Sequence, residues 1–172
     1  MKCPCCGHQN LPGMYACEQC QTSLTQEDVR KVQTDVERSL MKEQIKSLQP
    51  VEPLTVDIGT TLKQAIRIMR NKNIGCVVVT GDAGKLAGIL TERDLLQKVA
   101  GKHLDHDRCR VEEFMSPAPE SSKAEHPLAY ALHRMIISDI RYLPLVDEND
   151  RPAGIISSRD VIAYINAHYC DS

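Results

Sequence analysis

The sequence contains Gly88-Ile89-Leu90-Thr91-Glu92-Arg93-Asp94 and, 66 positions further on, Gly154-Ile155-Ile156-Ser157-Ser158-Arg159-Asp160. The same offset also aligns five upstream residues without a gap: Pro53, Leu62, Ala65, Met69 and Ile74 fall on Pro119, Leu128, Ala131, Met135 and Ile140. Chance does not produce so many matches at one spacing. The chain therefore carries an internal duplication.

Each copy predicts a helix, a buried strand, a turn, a second strand and a closing helix. In the first copy, Thr61 and Gln64 are spaced as a capping box. The β-branched run at 77–79 predicts a strand, and Gly81-Asp82-Ala83-Gly84 predicts the turn after it. In the second copy the polar stretch at 120–125 predicts a frayed or missing first strand. The predicted fold class is α/β, with two β-α-β-β-α repeats.

The composition indicates a globular chain without a strong charge bias. It has 172 residues, of which 42% are hydrophobic, and a formal net charge of -2. Such a charge predicts no overall attraction to nucleic acid or to an anionic membrane. The sequence has no run of about 18 apolar residues and no signal peptide, so we expect a cytoplasmic protein. It also lacks a Ser-His-Asp signature, a Walker loop and a His-Glu-x-x-His motif, so we expect no enzyme.

Cysteines are clustered near the N-terminus with the spacing of a metal site. Cys3 and Cys6 form one Cys-x-x-Cys pair, and Cys17 and Cys20 form a second. Four thiolates in two hairpin turns, or knuckles, suit tetrahedral Zn²⁺ and leave it no open position, with iron as the minor alternative. Cys5 and His8 are alternative ligands, but Cys5 would break the two-residue spacing. The segment resembles zinc-ribbon or rubredoxin-like knuckles, although Gln21 stands where a second glycine is frequent.

These patterns divide the chain into five segments. Residues 1–23 are the predicted zinc ribbon, and residues 24–49 are a predicted long amphipathic helix, because apolar residues recur there at helical intervals. We expect that helix to pack on the next domain or on a partner chain. Residues 50–102 are the first repeat, 103–110 a link, and 111–172 the second repeat.

The two closing helices begin with residues that suit an anionic ligand. A Thr or Ser at a helix start lies beside free backbone N–H groups and a positive dipole end, which favour a phosphate. The Asp three residues later can accept hydrogen bonds from ribose hydroxyls. The same spacing is also that of a plain helix cap. Its occurrence twice at matched positions favours nucleotide binding, and capping is compatible with it.

The repeats resemble the CBS domain family, named for cystathionine β-synthase, over about residues 45–168. The resemblance lies in the two heptapeptides and in Arg141-Tyr142-Leu143-Pro144-Leu145-Val146-Asp147. It implies that the cleft between the repeats binds AMP, ADP, ATP or S-adenosylmethionine, that the consequence is regulatory, and that the module forms a homodimer. The residues it implies as ligand-binding are Thr55, Val56, Gly75, Cys76, Thr91, Arg93, Asp94, Arg141, Tyr142, Pro144, Ser157, Arg159 and Asp160.

The two halves differ at positions that matter for binding. The first repeat has Gly75 and Val78 where the second has Arg141 and Pro144, so the two predicted pockets are not equivalent. We expect a sensor of an adenosine-type ligand whose ribbon docks a partner protein. The alternatives are a nucleic-acid-binding regulator that acts through the ribbon and a scaffold that docks a partner through the helix at 24–49.

Overall fold

The computed structural model describes residues 2–3, 5–11, 14–24 and 35–169. The chain forms two compact units, one made of Met1–Pro50, Ser122–Leu143 and Ile156–Ser172 and the other of Val51–Ser121 and Pro144–Ile155. These ranges cut across the two repeats. The first unit, called the ribbon unit here, contains the cysteine segment and the helices of the second repeat. The second, called the sheet unit, contains the first repeat from Val51 onward and, from the second repeat, residues 111–121 and 144–155.

The sheet unit is built on four strands in the order β1-β2-β3-β4. These are β1 (Thr55–Asp57), β2 (Cys76–Thr80), β3 (Leu86–Thr91) and β4 (Ser116–Pro117). β1 is parallel to β2, and the pairs β2–β3 and β3–β4 are antiparallel. A parallel pair needs a crossover connection, and helix α2 (Leu62–Lys72) provides it. The closing helix of the first repeat, α3 (Glu92–Asp94), follows β3 and continues as a π-helical turn at Leu95–Val99.

The predicted capping box starts α2 as expected. Thr61 Oγ1 accepts a hydrogen bond from the Gln64 N–H at 3.3 Å, and Gln64 Oε1 accepts one from the Thr61 N–H at 3.2 Å. Two N–H groups that the helix itself leaves unpaired are thereby satisfied. The apolar face of α2 packs into a core with the sheet. Its buried members include Val56, Leu62, Ala65, Met69, Val77, Val79, Leu90 and Val111.

Within the sheet unit, the segment that leads into each repeat pairs with a strand of the other repeat. Val51, which precedes β1, forms a bridge with Ile155 of the second repeat. Reciprocally, Ser116 of the strand that leads into the second repeat pairs with Ile89 of the first. The turns between the hairpin strands also meet, because the Leu86 N–H donates to the Asp150 carbonyl at 2.9 Å. The duplication predicts the two copies but not this exchange.

The ribbon unit contains α1 (Asp35–Lys42), α4 (Leu128–Ile137) and α5 (Ser158–Tyr169). Helices α1 and α5 both contact α4. Strands β5 (Tyr142–Val146) and β6 (Pro152–Ser157) form a two-stranded sheet. Residues 120–125 contain no strand, as their polar composition predicts. The order of helix, two strands and helix is thus present in both copies, and the α/β fold class is confirmed.

The segment predicted as one long helix is interrupted. Residues 25–34 lie outside the described part of the chain; α1 ends at Lys42, and Ile45–Leu48 form a 3₁₀ turn. The Ile45 N–H donates to the His126 carbonyl at 2.9 Å, and the Leu128 N–H donates to the Glu43 carbonyl at 2.8 Å. These tertiary hydrogen bonds replace the next turn of the helix, so the structure differs from a helix that continues to Gln49.

Candidate functional site

The four predicted cysteine ligands lie together. The Sγ atoms of Cys3, Cys6, Cys17 and Cys20 are all within 4.8 Å of one another. The Cys3–Cys20 and Cys6–Cys17 Sγ pairs are each separated by 3.6 Å. A tetrahedral ion bound at about 2.3 Å by each sulfur requires sulfur–sulfur separations of about 3.8 Å. The donor set and its spacing therefore fit one Zn²⁺ ion.

The two cysteine pairs sit in hairpin knuckles with the same backbone geometry. Bridges between Lys2 and Gln9 and between Ala16 and Ser23 close the two hairpins. Gly7 has φ +76°, and at the same place in the second knuckle Gln21 has φ +58°. Both values are left-handed, a region that glycine enters without the penalty of a Cβ. Gln21 therefore adopts the conformation of the glycine that the sequence lacks.

Hydrogen bonds prepare one of the four thiols for metal binding. Burial alone would raise the pKa of Cys17, but the N–H groups of Cys20 and Gln19 and the side chain of Asn10 outweigh it and lower the pKa to about 6. Burial raises the pKa of Cys3. Thiols that hold their protons must release them to bind a metal, so a metal ion bound by these four sulfurs would displace protons from them.

The predictions from the sequence did not include the surface on which the ribbon packs. Tyr130 of α4 is buried in the same cluster as Cys3, Cys5, Cys17, Cys20 and Leu24, with only 5% of its surface exposed. Nε2 of His133, one turn further along α4, lies 3.1 Å from the Cys20 carbonyl oxygen. The cysteine segment thus packs on the first helix of the second repeat. The repeat alignment contained a signal for this contact. Tyr130 and His133 stand where the first repeat has Gln64 and Arg67, so the second repeat differs from the first at the two positions that contact the ribbon.

In the first repeat, both carboxylate oxygens of Asp94, the predicted ribose acceptor, already accept hydrogen bonds from the protein. Asp94 Oδ2 accepts from the Thr91 N–H and hydroxyl at 3.0 and 2.6 Å. Its Oδ1 accepts from Lys98 Nζ at 2.8 Å and from Ser116 Oγ at 3.0 Å. Burial would raise the pKa of Asp94, but hydrogen bonds from Lys98, Thr91 and Ser116 outweigh it and leave the pKa below its usual value. Asp94 is 5% exposed and joins the closing helix to β4.

In the second repeat, the matched carboxylate is open to solvent. Asp160 Oδ2 accepts from the Ser157 N–H and hydroxyl at 2.6 and 2.8 Å, which repeats the cap of the first copy. Asp160 itself is exposed. Among the described residues, none donates to its Oδ1. The two caps are alike, but only the second leaves a carboxylate oxygen available.

The residues at matched positions explain this difference. The 66-residue offset places Pro50 where the leading segment of the second repeat has Ser116, and it places Tyr164 at the position of Lys98. Proline has no donor, and the Tyr164 ring stacks on His168 at 4.1 Å between centroids. Pro50 cannot supply the hydroxyl that Ser116 provides to Asp94, and Tyr164 carries no ammonium group in place of that of Lys98. The sequence shows these residue differences, but their effect on the two carboxylates can be inferred only when the pairing of each leading segment with the other repeat is known.

The start of the first hairpin strand lies beside the helix start in each copy. Cys76 of β2 pairs directly with Thr91, and the Gly75 carbonyl accepts from the Glu92 N–H at 2.9 Å. In the second copy the Arg141 carbonyl accepts from the Ser158 N–H at the same distance. The start of the first hairpin strand and the start of the closing helix, which both contain predicted ligand-binding residues, are therefore neighbours within each repeat.

The other predicted ligand-binding residues vary in accessibility. Thr55, Arg93, Arg141 and Arg159 are exposed, Tyr142 is half-buried, and Val56 and Pro144 are buried. Thr55 pairs with Val78, two positions along β2 from Cys76. Burial raises the pKa of the Cys76 thiol to about 12, as expected for a core residue rather than a nucleophile. Their roles in binding stay predictions.

In the described part of the chain, every helix is too short or too polar to cross a membrane.

Comparison with known proteins reveals one family. The family model for the CBS domain matches residues 38–101 and 111–167. The meiotically up-regulated gene 70 protein of Schizosaccharomyces pombe is 34% identical over 106 residues, which are 62% of this chain and 14% of that protein. The arabinose 5-phosphate isomerase KdsD of Pseudomonas aeruginosa is 33% identical over 105 residues, 61% of this chain and 32% of the isomerase. The chain thus spans about a third or less of these two relatives.

A solved structure shares the fold. The CBS domain pair of protein MJ0100, in complex with 5'-methylthioadenosine and S-adenosyl-L-methionine, is similar with a TM-score of 0.65 and 23% identity. The match covers 73% of this chain and 97% of that one. The cysteine segment at residues 2–24 precedes the part of the chain that the family model matches.

Proposed function

Because the chain belongs to the CBS domain family, as the match over both repeats shows, we propose that it is a regulatory sensor of an adenosine-type ligand. The helix start at Ser157 and Asp160 is the proposed ligand-binding element. The single observation that carries this proposal is the contrast between the two matched carboxylates. Asp160 is exposed, whereas Asp94 is buried and accepts four hydrogen bonds.

The chemistry of this helix start suits a nucleotide. Helix α5 has twelve residues, so its first turn carries a helix dipole that favours a phosphate. Asp160 Oδ1 can accept a ribose hydroxyl without giving up the cap on Oδ2. Arg159 is exposed beside it and can pair with phosphate oxygens. In the first repeat, a ribose would have to displace Lys98 or Ser116 from Asp94.

Titration calorimetry with AMP, ADP, ATP, S-adenosylmethionine and 5'-methylthioadenosine tests the proposal. The Asp160→Asn variant keeps an acceptor for the cap but loses the charge, and we expect its affinity to fall about 10-fold, since a hydrogen bond to a charged group contributes about 1.5–3 kcal/mol. Asp94→Asn is the matched control and keeps wild-type affinity below its unfolding transition. Absence of heat with all five ligands would refute the sensor function. Loss of binding in the Asp94 variant alone would refute the assignment to the second repeat.

We also propose that the cysteine cluster holds a structural Zn²⁺ ion. Four protein thiolates fill a tetrahedral shell, so the ion would stabilise the ribbon and take no part in catalysis. Such a site needs reduced cysteines, which accords with a cytoplasmic location. Elemental analysis of the purified chain is expected to give one zinc per chain. One iron per chain, with the strong visible absorption of an iron tetrathiolate, would replace zinc in the proposal.

A homodimer is the proposed assembly. Leu96 and Ile162 occupy matched positions of the two closing helices, and they are 72% and 55% exposed. A large apolar residue left exposed at the same place in both copies is best explained by a second chain that covers it. Light scattering is expected to show a dimer for the wild type and a monomer for the Leu96→Lys/Ile162→Lys variant. A wild-type monomer at all concentrations would contradict this assembly.

Partner docking is the role proposed for the outer face of the ribbon. Leu11 and Tyr15 are 68% and 81% exposed. Apolar and aromatic side chains are typical of protein interfaces, whereas nucleic-acid contact requires a basic patch. The exposed residues therefore favour a protein partner over nucleic acid.

A further inference from the structure

One side of helix α4 is built to receive the ribbon. Tyr130 and His133 are three residues apart, so they lie on the same side of α4, and His126 lies just before the helix, whose N-cap is Pro127. We call Tyr130 and His133, which both contact the ribbon, the ribbon-facing row. The ring of His126 meets that of Tyr130 edge-on at 4.8 Å, and Tyr130 is buried among the cysteines.

The row reaches the metal ligands through short contacts. His133 Nε2 lies 3.1 Å from the Cys20 carbonyl and 3.4 Å from Thr22 Oγ1. Thr22 Oγ1 in turn lies 3.2 Å from Cys20 Sγ. One side chain of α4 therefore contacts both the backbone of a cysteine ligand and the hydroxyl that is hydrogen-bonded to its sulfur. Contacts of this kind orient metal ligands in other proteins.

The internal duplication shows that the row is particular to the second repeat. The positions matched to His126, Tyr130 and His133 in the first repeat are Thr60, Gln64 and Arg67. Gln64 and Arg67 are exposed on α2, and Gln64 is used in the capping box. The first repeat thus has the same helix without the aromatic residue and the two histidines.

The ribbon has little apolar core of its own. Tyr130 completes the ribbon's buried cluster from outside. Among the described residues of the ribbon, the buried hydrophobic members are Cys3, Cys5, Cys17, Cys20 and Leu24. A segment of this kind folds when metal binding supplies the missing free energy. If the ribbon unfolds, Tyr130 loses its cover and the Cys20 carbonyl loses its contact with His133.

We propose that metal binding by the cysteine cluster and the stability of helix α4 are one linked equilibrium, joined by Tyr130 and His133. His133 is a positioning residue for Cys20, and the metal in return holds the first helix of the second repeat. Linkage is reciprocal, so loss of either side chain weakens metal binding, and loss of metal loosens α4. The inference rests on the proposed metal site and is independent of nucleotide binding.

Hydrogen exchange on the full chain, with and without Zn²⁺, tests the coupling. Zn²⁺ is expected to slow amide exchange in α4, residues 128–137, and to leave the matched helix α2, residues 62–72, unchanged. Co²⁺ titration, followed by the thiolate-to-cobalt absorption, measures metal affinity in parallel. His133→Ala is expected to weaken Co²⁺ binding about 10-fold. His133→Gln, whose side-chain amide can donate to the same carbonyl, is expected to recover most of that loss.

Matched variants separate the outcomes. Arg67→Ala, at the corresponding position of α2, is expected to leave Co²⁺ affinity unchanged. Tyr130→Ala is expected to abolish the effect of Zn²⁺ on amide exchange in α4. If that variant does not fold, the comparison of His133→Ala with His133→Gln tests the coupling instead. A wild-type chain that binds no Co²⁺ would refute the metal site and this inference with it. Co²⁺ binding without slower exchange in α4, equal slowing in α2, or equal affinities for the His133→Ala and Arg67→Ala chains would overturn the coupling alone.

Discussion

Replacement of Asp94 by asparagine tests whether the first helix start is a structural element. Asparagine keeps one oxygen that can accept from the Thr91 N–H, so the cap survives in part. It loses the charge that faces Lys98 Nζ at 2.8 Å, and the NH₂ group that replaces Oδ1 can no longer accept from Lys98 or from Ser116. A hydrogen bond to a charged group contributes about 1.5–3 kcal/mol. Since Lys98 is 37% exposed, solvent screening favours a total near 2 kcal/mol.

Thermal unfolding of the full chain measures this loss. For a protein of this size each kcal/mol lowers the Tm by about 2–4 °C, so Asp94→Asn is expected to unfold about 4–8 °C below the wild type. Asp160→Asn is the matched control, because its carboxylate is exposed and is expected to change stability by about 0.5 kcal/mol or less. Equal Tm losses in the two variants would refute the distinction between a structural and an open carboxylate.

The pH dependence of the same comparison gives a second readout. The pKa of Asp94 in the folded chain lies below its ordinary value of 3.8. A lowered pKa stabilises the folded chain at pH values above that of the unfolded carboxyl, and this stabilisation is lost as the pH falls through the folded pKa. The difference in Tm between wild type and Asp94→Asn is therefore expected to be full at pH 7 and to shrink below about pH 4. A difference that is constant with pH would show that the charge of Asp94 contributes nothing.

Two further predictions concern packing and the metal ligands. Gly88→Ala would place a methyl group much closer to Met115 Sδ than van der Waals contact allows. We expect a loss of about 1–3 kcal/mol in thermal unfolding. The same substitution made in a Met115→Ala background is expected to cost less, because the side chain that it would meet is then absent. Unchanged stability of the single variant would contradict the close packing of β3 on the segment before β4. Cys6→Ser is expected to lose bound zinc by elemental analysis, whereas Cys5→Ser keeps it, and the reverse result would move Cys5 into the ligand set.

Much of the architecture was present in local sequence patterns. Some patterns depend on residues that are near one another in the chain, so they predict strands and helices directly: the β-branched run at 77–79 and the Thr61–Gln64 spacing. The 66-residue repeat extends the same prediction to the second copy. The two Cys-x-x-Cys pairs predict a four-sulfur cluster for the same reason, since each pair is set by one hairpin. The polar stretch at 120–125 likewise predicts the missing first strand.

Two features depend on contacts between distant segments and could be learned only from the tertiary structure: the point at which the first helix ends and the surroundings of Asp94. The helix predicted to reach Gln49 gives way after Lys42, because Glu43 and Ile45 form hydrogen bonds with the chain at Leu128 and His126. Asp94 and Asp160 have the same local cap, but Asp94 also accepts from Lys98, four residues further along the chain, and from Ser116 of the exchanged strand. Local patterns set which segments become helices and strands, but the surroundings of a carboxylate or a cysteine ligand are set by side chains that fold in from elsewhere in the sequence.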